Sequence, residues 1–230
     1  MKANNKSDPM TTQAIKLEDI GARDRVAPAV LPESGESSLD AEQLYRASAY
    51  GLLAAVLRAA PDQALLDHLG ELSPGCNDDS DDLLLAMSIL ALSAKNHSVE
   101  ELEEEYHQLF IGLGKGEVVP YASWHLTGFL MEQPLSDLRD DLRLLGFART
   151  GDTSEPEDHA AALFEVLSVM IGEQSSLEQQ RQFFDRHMKP WLGRFYDDLG
   201  NASSAVFYQS VARFGAAYFD LEKDYFSMQS

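Results

Sequence analysis

From about Asp40 onward, apolar positions recur at intervals of three and four, the period of a helix. Leu44, Ala47, Ser48, Gly51, Leu52, Ala55 and Val56 share one face. A short second stripe after Pro61 carries Leu65, Leu66 and Leu69, and Ser73-Pro74-Gly75 ends it. An acidic link (Asp78, Asp79, Asp81, Asp82) leads to a stripe of Leu84, Met87, Ile89, Leu90 and Ala94. Ser98 and Glu101 have capping-box spacing, so a helix starts there and runs through Leu102, Tyr106, Leu109 and Phe110. Gly112, Gly114 and Gly116 stop it, and Val118-Val119-Pro120-Tyr121 reads as an extended connector. A helix is predicted over 123–131, broken by Pro134, and then a stripe of Leu135, Leu138, Leu142 and Leu145 ends at Gly146. Ser154 and Glu157 repeat the capping-box spacing, and Pro156 suits the first turn of a helix. That helix holds Leu163, Phe164, Val166, Leu167, Met170 and Ile171, with further helices over 177–188, 191–199 and 205–219. No run alternates as a strand does, and no hairpin signal occurs, so the pattern specifies an all-α bundle.

The organisation divides into four parts. Residues 1–38 read as a flexible tail, with Pro9, Pro28, Pro32, Gly21 and Gly35 and little periodicity. Residues 39–149 form an N-terminal helical half, 150–155 a hinge and 156–230 a C-terminal helical half. A hinged helical chain can exchange halves between copies, so a homodimer is one expectation.

Charge narrows the choice of partners. Eighteen Lys and Arg against 38 Asp and Glu give a net charge of −20 over 230 residues. Such a chain repels phosphate backbones and anionic lipid, which argues against nucleic acid and membrane surfaces. It favours a basic partner, although acidity can equally serve solubility alone. The single Cys76 allows no internal disulfide. No stretch approaches the ~20 apolar residues of a membrane span, and the N-terminus has no basic start followed by an apolar run. These features point to the cytoplasm and to no membrane insertion.

Candidate chemistry is sparse. Gly112-Leu113-Gly114-Lys115-Gly116 lacks the preceding strand and the Gly-Lys-Ser/Thr ending of a phosphate loop, so helix termination explains it better. The six histidines form no pair at metal-ligand spacing, so neither metal nor cofactor is expected. His187 is expected to cap or pack against a helix end. The loop Glu155-Pro156-Glu157-Asp158-His159 concentrates three carboxylates, a proline and an imidazole. Asp158 and His159 could form an acid/base dyad, which would make the chain a helical hydrolase or nucleotide-binding enzyme, but no Ser or Cys stands out as a nucleophile. The acids could also complement a helix N-terminus, or receive a guanidinium in bidentate geometry beside a groove. Tyr106, Leu109 and Phe110, with Pro120, Tyr121, Trp124 and His125, fit either a core or a peptide-binding groove.

Taken in order, these motifs resemble one family. Glu105-Tyr106-His107-Gln108-Leu109-Phe110-Ile111-Gly112 precedes Pro120-Tyr121, then Leu138-Arg139 with Gly146, then Glu155-Pro156-Glu157-Asp158-His159, then Phe184 through Pro190-Trp191. Over about 40–219 this is similar to the TorD/DmsD family of cytoplasmic chaperones for molybdenum enzymes, related to the NarJ group. Tyr106 and Tyr121 stand where that family often carries tryptophan, and Leu113 where it carries proline. The resemblance implies an all-helical, non-enzymatic chaperone hinged at the acidic loop. It implies as partner the apo precursor of a molybdenum-containing reductase or dehydrogenase with a twin-arginine leader, held back from export until its molybdopterin cofactor is inserted. The family's peptide-binding positions fall on Tyr106, Leu109, Phe110, Pro120, Tyr121, Pro156, Asp158 and His159. Glu155 and His125 extend that set as neighbours on the same two segments.

Overall fold

The computed structural model describes residues 15–16, 39–72, 81–112, 116–148 and 155–228. Ten α-helices dominate them: α1 (Ala41–Arg58), α2 (Gln63–Gly70), α3 (Asp82–Lys95), α4 (Val99–Tyr106), α5 (Ala122–Thr127), α6 (Gln133–Leu144), α7 (Ala160–Gly172), α8 (Leu177–His187), α9 (Leu192–Gly200) and α10 (Phe207–Met228). The all-α expectation is borne out. One small addition is a parallel pair in which β1 (Ile15–Lys16) meets β2 (Phe147–Ala148). The rest of the expected tail, the Ser73-Pro74-Gly75 break, Asp78 and Asp79 of the acidic link, and the hinge residues 150–154 lie outside the described residues.

Local signals set most helix starts. Asp40, Asp62 and Asp81 each accept an amide from the first turn of α1, α2 and α3. Ser98 and Glu101 form the expected reciprocal box, and Ser176 with Gln179 forms a second. After Tyr106 the helix widens into a π turn, His107–Ile111, and Gly112 leaves it at φ +51°. Gly128, at φ +83°, ends α5 four residues earlier than the periodicity predicted.

α1 lies along α7, while α10 packs on α3 and α9. One buried cluster therefore draws on helices from both sides of the expected hinge, with Tyr50, Phe164, Phe184, Trp191, Phe195 and Tyr208 among its largest members. α1 is buried deepest on the arc Arg46, Tyr50, Leu53, Ala54 and Leu57, and the stripe chosen by apolarity is only half-buried along much of its length. The reason is Arg46. It is buried because Glu222 of α10 grips its guanidinium through Nε and Nη2, both at 2.7 Å. Tyr50 Oη also donates to Glu222, at 2.8 Å. No helical period can anticipate a charge buried by a partner so distant in the chain. α6 buries Leu135, Leu138 and Leu142 as expected, and its Asp141 accepts from Arg186 Nη1 at 2.7 Å and His187 Nε2 at 2.6 Å. His187 thus packs in the last turn of α8, as the sequence suggested.

Candidate functional site: an acidic, aromatic cleft

Four separate stretches surround a cleft of about 600 Å³, within the usual size of ligand pockets. Arg58 to Asp62 form one wall, between α1 and α2. Val99, Glu103, Tyr106, His107, Phe110 and Ile111 form a second, on α4 and its π turn. Pro120 and Tyr121 form a third, and Glu155 and His159 a fourth. The last two walls are joined. Tyr121 and His159 make an antiparallel bridge in which Ala122 N–H donates to Asp158 O at 3.0 Å and Ala160 N–H to Pro120 O at 2.8 Å.

Within this frame, Tyr121 Oη donates to Glu155 Oε1 at 2.8 Å, and the Tyr121 and His159 rings meet edge to face with centroids 5.0 Å apart. His159 Nε2 lies 3.8 Å from Glu155 Oε1. Burial lowers the His159 pKa more than the Glu155 carboxylate raises it, so the ring is held neutral. Burial, with the Glu155 hydrogen bond next, raises the Tyr121 hydroxyl well above its ordinary range. Tyr106 is pushed up to about 12, again by burial first and the Glu155 charge second. Its hydroxyl donates to the Arg58 and Leu57 carbonyls, at 3.0 and 3.3 Å, and its ring lies 5.0 Å from that of Phe110. Arg58 pairs with Glu165 of α7, with Nε 2.6 Å from Oε1. The cleft thus combines aromatic faces with the carboxylates of Asp62, Glu103 and Glu155, which suits a cation on an apolar chain.

The sequence-derived set divides. Tyr106, Phe110, Pro120, Tyr121, Glu155 and His159 come together on the cleft. Leu109 is fully buried beneath it, and its carbonyl accepts Val118 N–H at 2.8 Å. His125 is buried elsewhere, its ring stacked on Trp191 with centroids 5.2 Å apart and Nε2 bonded to Val119 O at 2.9 Å. Pro156 is half-buried in the loop, outside the lining, and its carbonyl accepts His159 N–H at 3.3 Å. Asp158 is buried behind the bridge, where Oδ2 accepts the Ser123 amide at 2.9 Å and so caps α5 from another part of the chain.

These bonds bear on the dyad as well. Asp158 serves α5, while His159 Nδ1 accepts the Ala161 amide at 3.1 Å as the N-cap of α7. Each side chain is engaged at a helix end through one atom, while Asp158 Oδ1 and Ser123 Oγ are buried without a hydrogen-bond partner among the described residues. α7 thus starts at Ala160, with His159 as its cap, later than the sequence pattern suggested, and Ser154 lies outside the described residues; Glu157 pairs with Arg139 of α6. Among the described residues no group of His, Cys, Asp and Glu is arranged to hold a metal, and no helix is long and apolar enough to cross a membrane. Arg58, Asp62, Val99 and Glu103 also line the cleft, and no sequence motif singles them out. A periodic signal for two of them was present, since Val99, Glu103, Tyr106 and Phe110 continue one helical face at spacings of four, three and four.

Comparison with known proteins agrees with this architecture. The family model described as nitrate reductase delta subunit matches residues 46–197, most of the helical region. The chain belongs to that family. Its relatives include proteins named chaperone protein TorD. That of Aliivibrio salmonicida is 26% identical over 143 residues, covering 57% of this chain and 66% of the relative. That of Aliivibrio fischeri is 27% identical over 187 residues, covering 72% and 87%. A Tat proofreading chaperone DmsD of Salmonella paratyphi A is 28% identical over 130 residues, covering 56% and 63%. The TorD/DmsD resemblance is therefore borne out, and the named relatives of the family are chaperones and not enzymes. In fold, the chain is similar to the crystal structure of a candidate redox enzyme maturation protein from Archaeoglobus fulgidus, with a TM-score of 0.51 over 84% of this chain and 99% of the other at 18% identity.

Proposed function

We propose that this protein is a cytoplasmic, system-specific chaperone. It binds the twin-arginine signal peptide and the apo form of a molybdopterin-dependent oxidoreductase of the DMSO/TMAO reductase type, assists cofactor insertion and delays export. The observation that carries the reading is the cleft. Six family-motif residues from three separated stretches converge there, and they join aromatic surface to the Glu155 carboxylate. A twin-arginine leader offers the complement, guanidinium groups followed by an apolar run. The net charge of −20 draws such a peptide in at long range, and salt shortens that reach because the Debye length is ~10 Å at 0.1 M. The loop around 150–155 would act as a hinge that changes the placement of the two halves on binding, and exchange of those halves would give a homodimer.

The test is titration calorimetry with leaders from candidate precursors at two salt concentrations. The expected result is saturable binding that needs the arginine pair, weakens with salt and falls by about tenfold in Glu155→Gln, the loss of one charge-assisted contact. Binding that tolerates replacement of both arginines would sink the reading.

A further inference from the structure

We propose that Arg139 is a positioning residue for the cleft, acting through Glu157 on the loop that carries Glu155 and His159; this rests on the cleft being the leader site. Successive residues of the loop are tied to different elements. Glu155 reaches Tyr121 Oη on the cleft side, whereas Glu157 turns to α6. There Arg139 Nε and Nη2 converge on Glu157 Oε2, at 2.9 and 2.8 Å. Glu157 is shielded, with a side-chain exposure of 15%, while Arg139 is 39% exposed, so the pair is only partly screened by solvent and its contribution stays modest. α6 is a firm anchor because Leu135, Leu138 and Leu142 seat it in the core. The two residues on either side of Glu157 lead directly to the cleft contacts. Asp158 and His159 carry the bridge to Pro120–Ala122, and Glu155 supplies the carboxylate. A guanidinium holds this register better than an ammonium, since two of its nitrogens fix an angle as well as a distance. Arg139 touches no ligand in this scheme; it sets where Glu155 stands.

The experiment compares wild type, Arg139→Gln, and the exchanged pair Arg139→Glu with Glu157→Arg. Three readouts are taken: leader affinity by calorimetry, amide exchange at Ala122 and Ala160, and melting temperature. Arg139→Gln is expected to weaken leader binding about fivefold, the factor for roughly 1 kcal/mol of lost positioning. It should also speed exchange at Ala122 and Ala160, with no change at Leu102 in α4 and little change in melting temperature. The exchanged pair should restore both affinity and protection. Equal leader affinity in wild type and Arg139→Gln, or unchanged exchange at both amides, would overturn the role of Arg139 while leaving the cleft assignment intact. A general fall in melting temperature that the exchanged pair does not repair would also overturn it, by making Arg139 a packing residue. A wild-type chain that binds no leader removes instead the reading on which the proposal stands.

Discussion

His159 caps α7 with Nδ1, which accepts a hydrogen bond only while the imidazole is neutral. Burial already lowers its pKa below the ordinary 6.5, so the unfolded chain takes up this proton before the folded one does. The associated stability is present above about pH 6.5 and is lost as pH falls below it. His125 and His187 are lowered for the same leading reason and add to the same slope. The expected outcome is a melting temperature that drops between pH 7 and pH 5. His159→Asn keeps a neutral cap and should flatten that dependence, which melting curves across the range would reveal. Little of this was legible in the sequence. The spacing of Ser154 and Glu157 points to an earlier start, yet the helix begins at Ala160 and its cap is an imidazole, a residue type that capping rules do not single out.

Elements were more legible than residues, because helix period and capping are local. The Ser98–Glu101 box and the Leu135–Leu138–Leu142 stripe formed as their spacing required, and Pro134, read as a break, proves to sit in the first turn of α6. The start of α10 is a counterexample. No side chain near Phe207 announces it; instead Glu105 on α4 receives the amides of Val206, Phe207 and Tyr208 at 2.8, 3.1 and 2.9 Å. The sequence showed Glu105 only as the first letter of a motif. Glu105→Ala should cost about 2 kcal/mol, since three amides at a buried helix end lose their acceptor. The neighbouring exposed Glu104→Ala should cost little, and urea unfolding of the two variants would separate them. Equal losses would mean that α10 is held by packing alone.

At the scale of the whole molecule, the first and last helices are fastened by Arg46 and Glu222, with Tyr50 on the same carboxylate and Gln180 of α8 on the same guanidinium. Removing one partner strands the other in the interior. Arg46→Met is therefore expected to cost about 3–5 kcal/mol, whereas Arg46→Met with Glu222→Leu should recover much of that in chemical denaturation. A double variant no better than the single would show that the pair is not what closes the bundle. The aromatic half of the cleft was readable, because Tyr106 and Phe110 are close in sequence. Pro120, Tyr121, Glu155 and His159 were named only through the family resemblance and the composition of their loops, and the wall from Arg58 to Asp62 was not legible, because it meets the others only through the tertiary fold. That scattering has a consequence for the order of events during synthesis. A chain halted after Gly146 would possess the aromatic wall but neither the Glu155 carboxylate nor the bridge to Tyr121. The ability to hold a ligand therefore arises late, once the stretch through α7 has emerged and docked. An incomplete copy released from the ribosome should therefore lack a complete cleft.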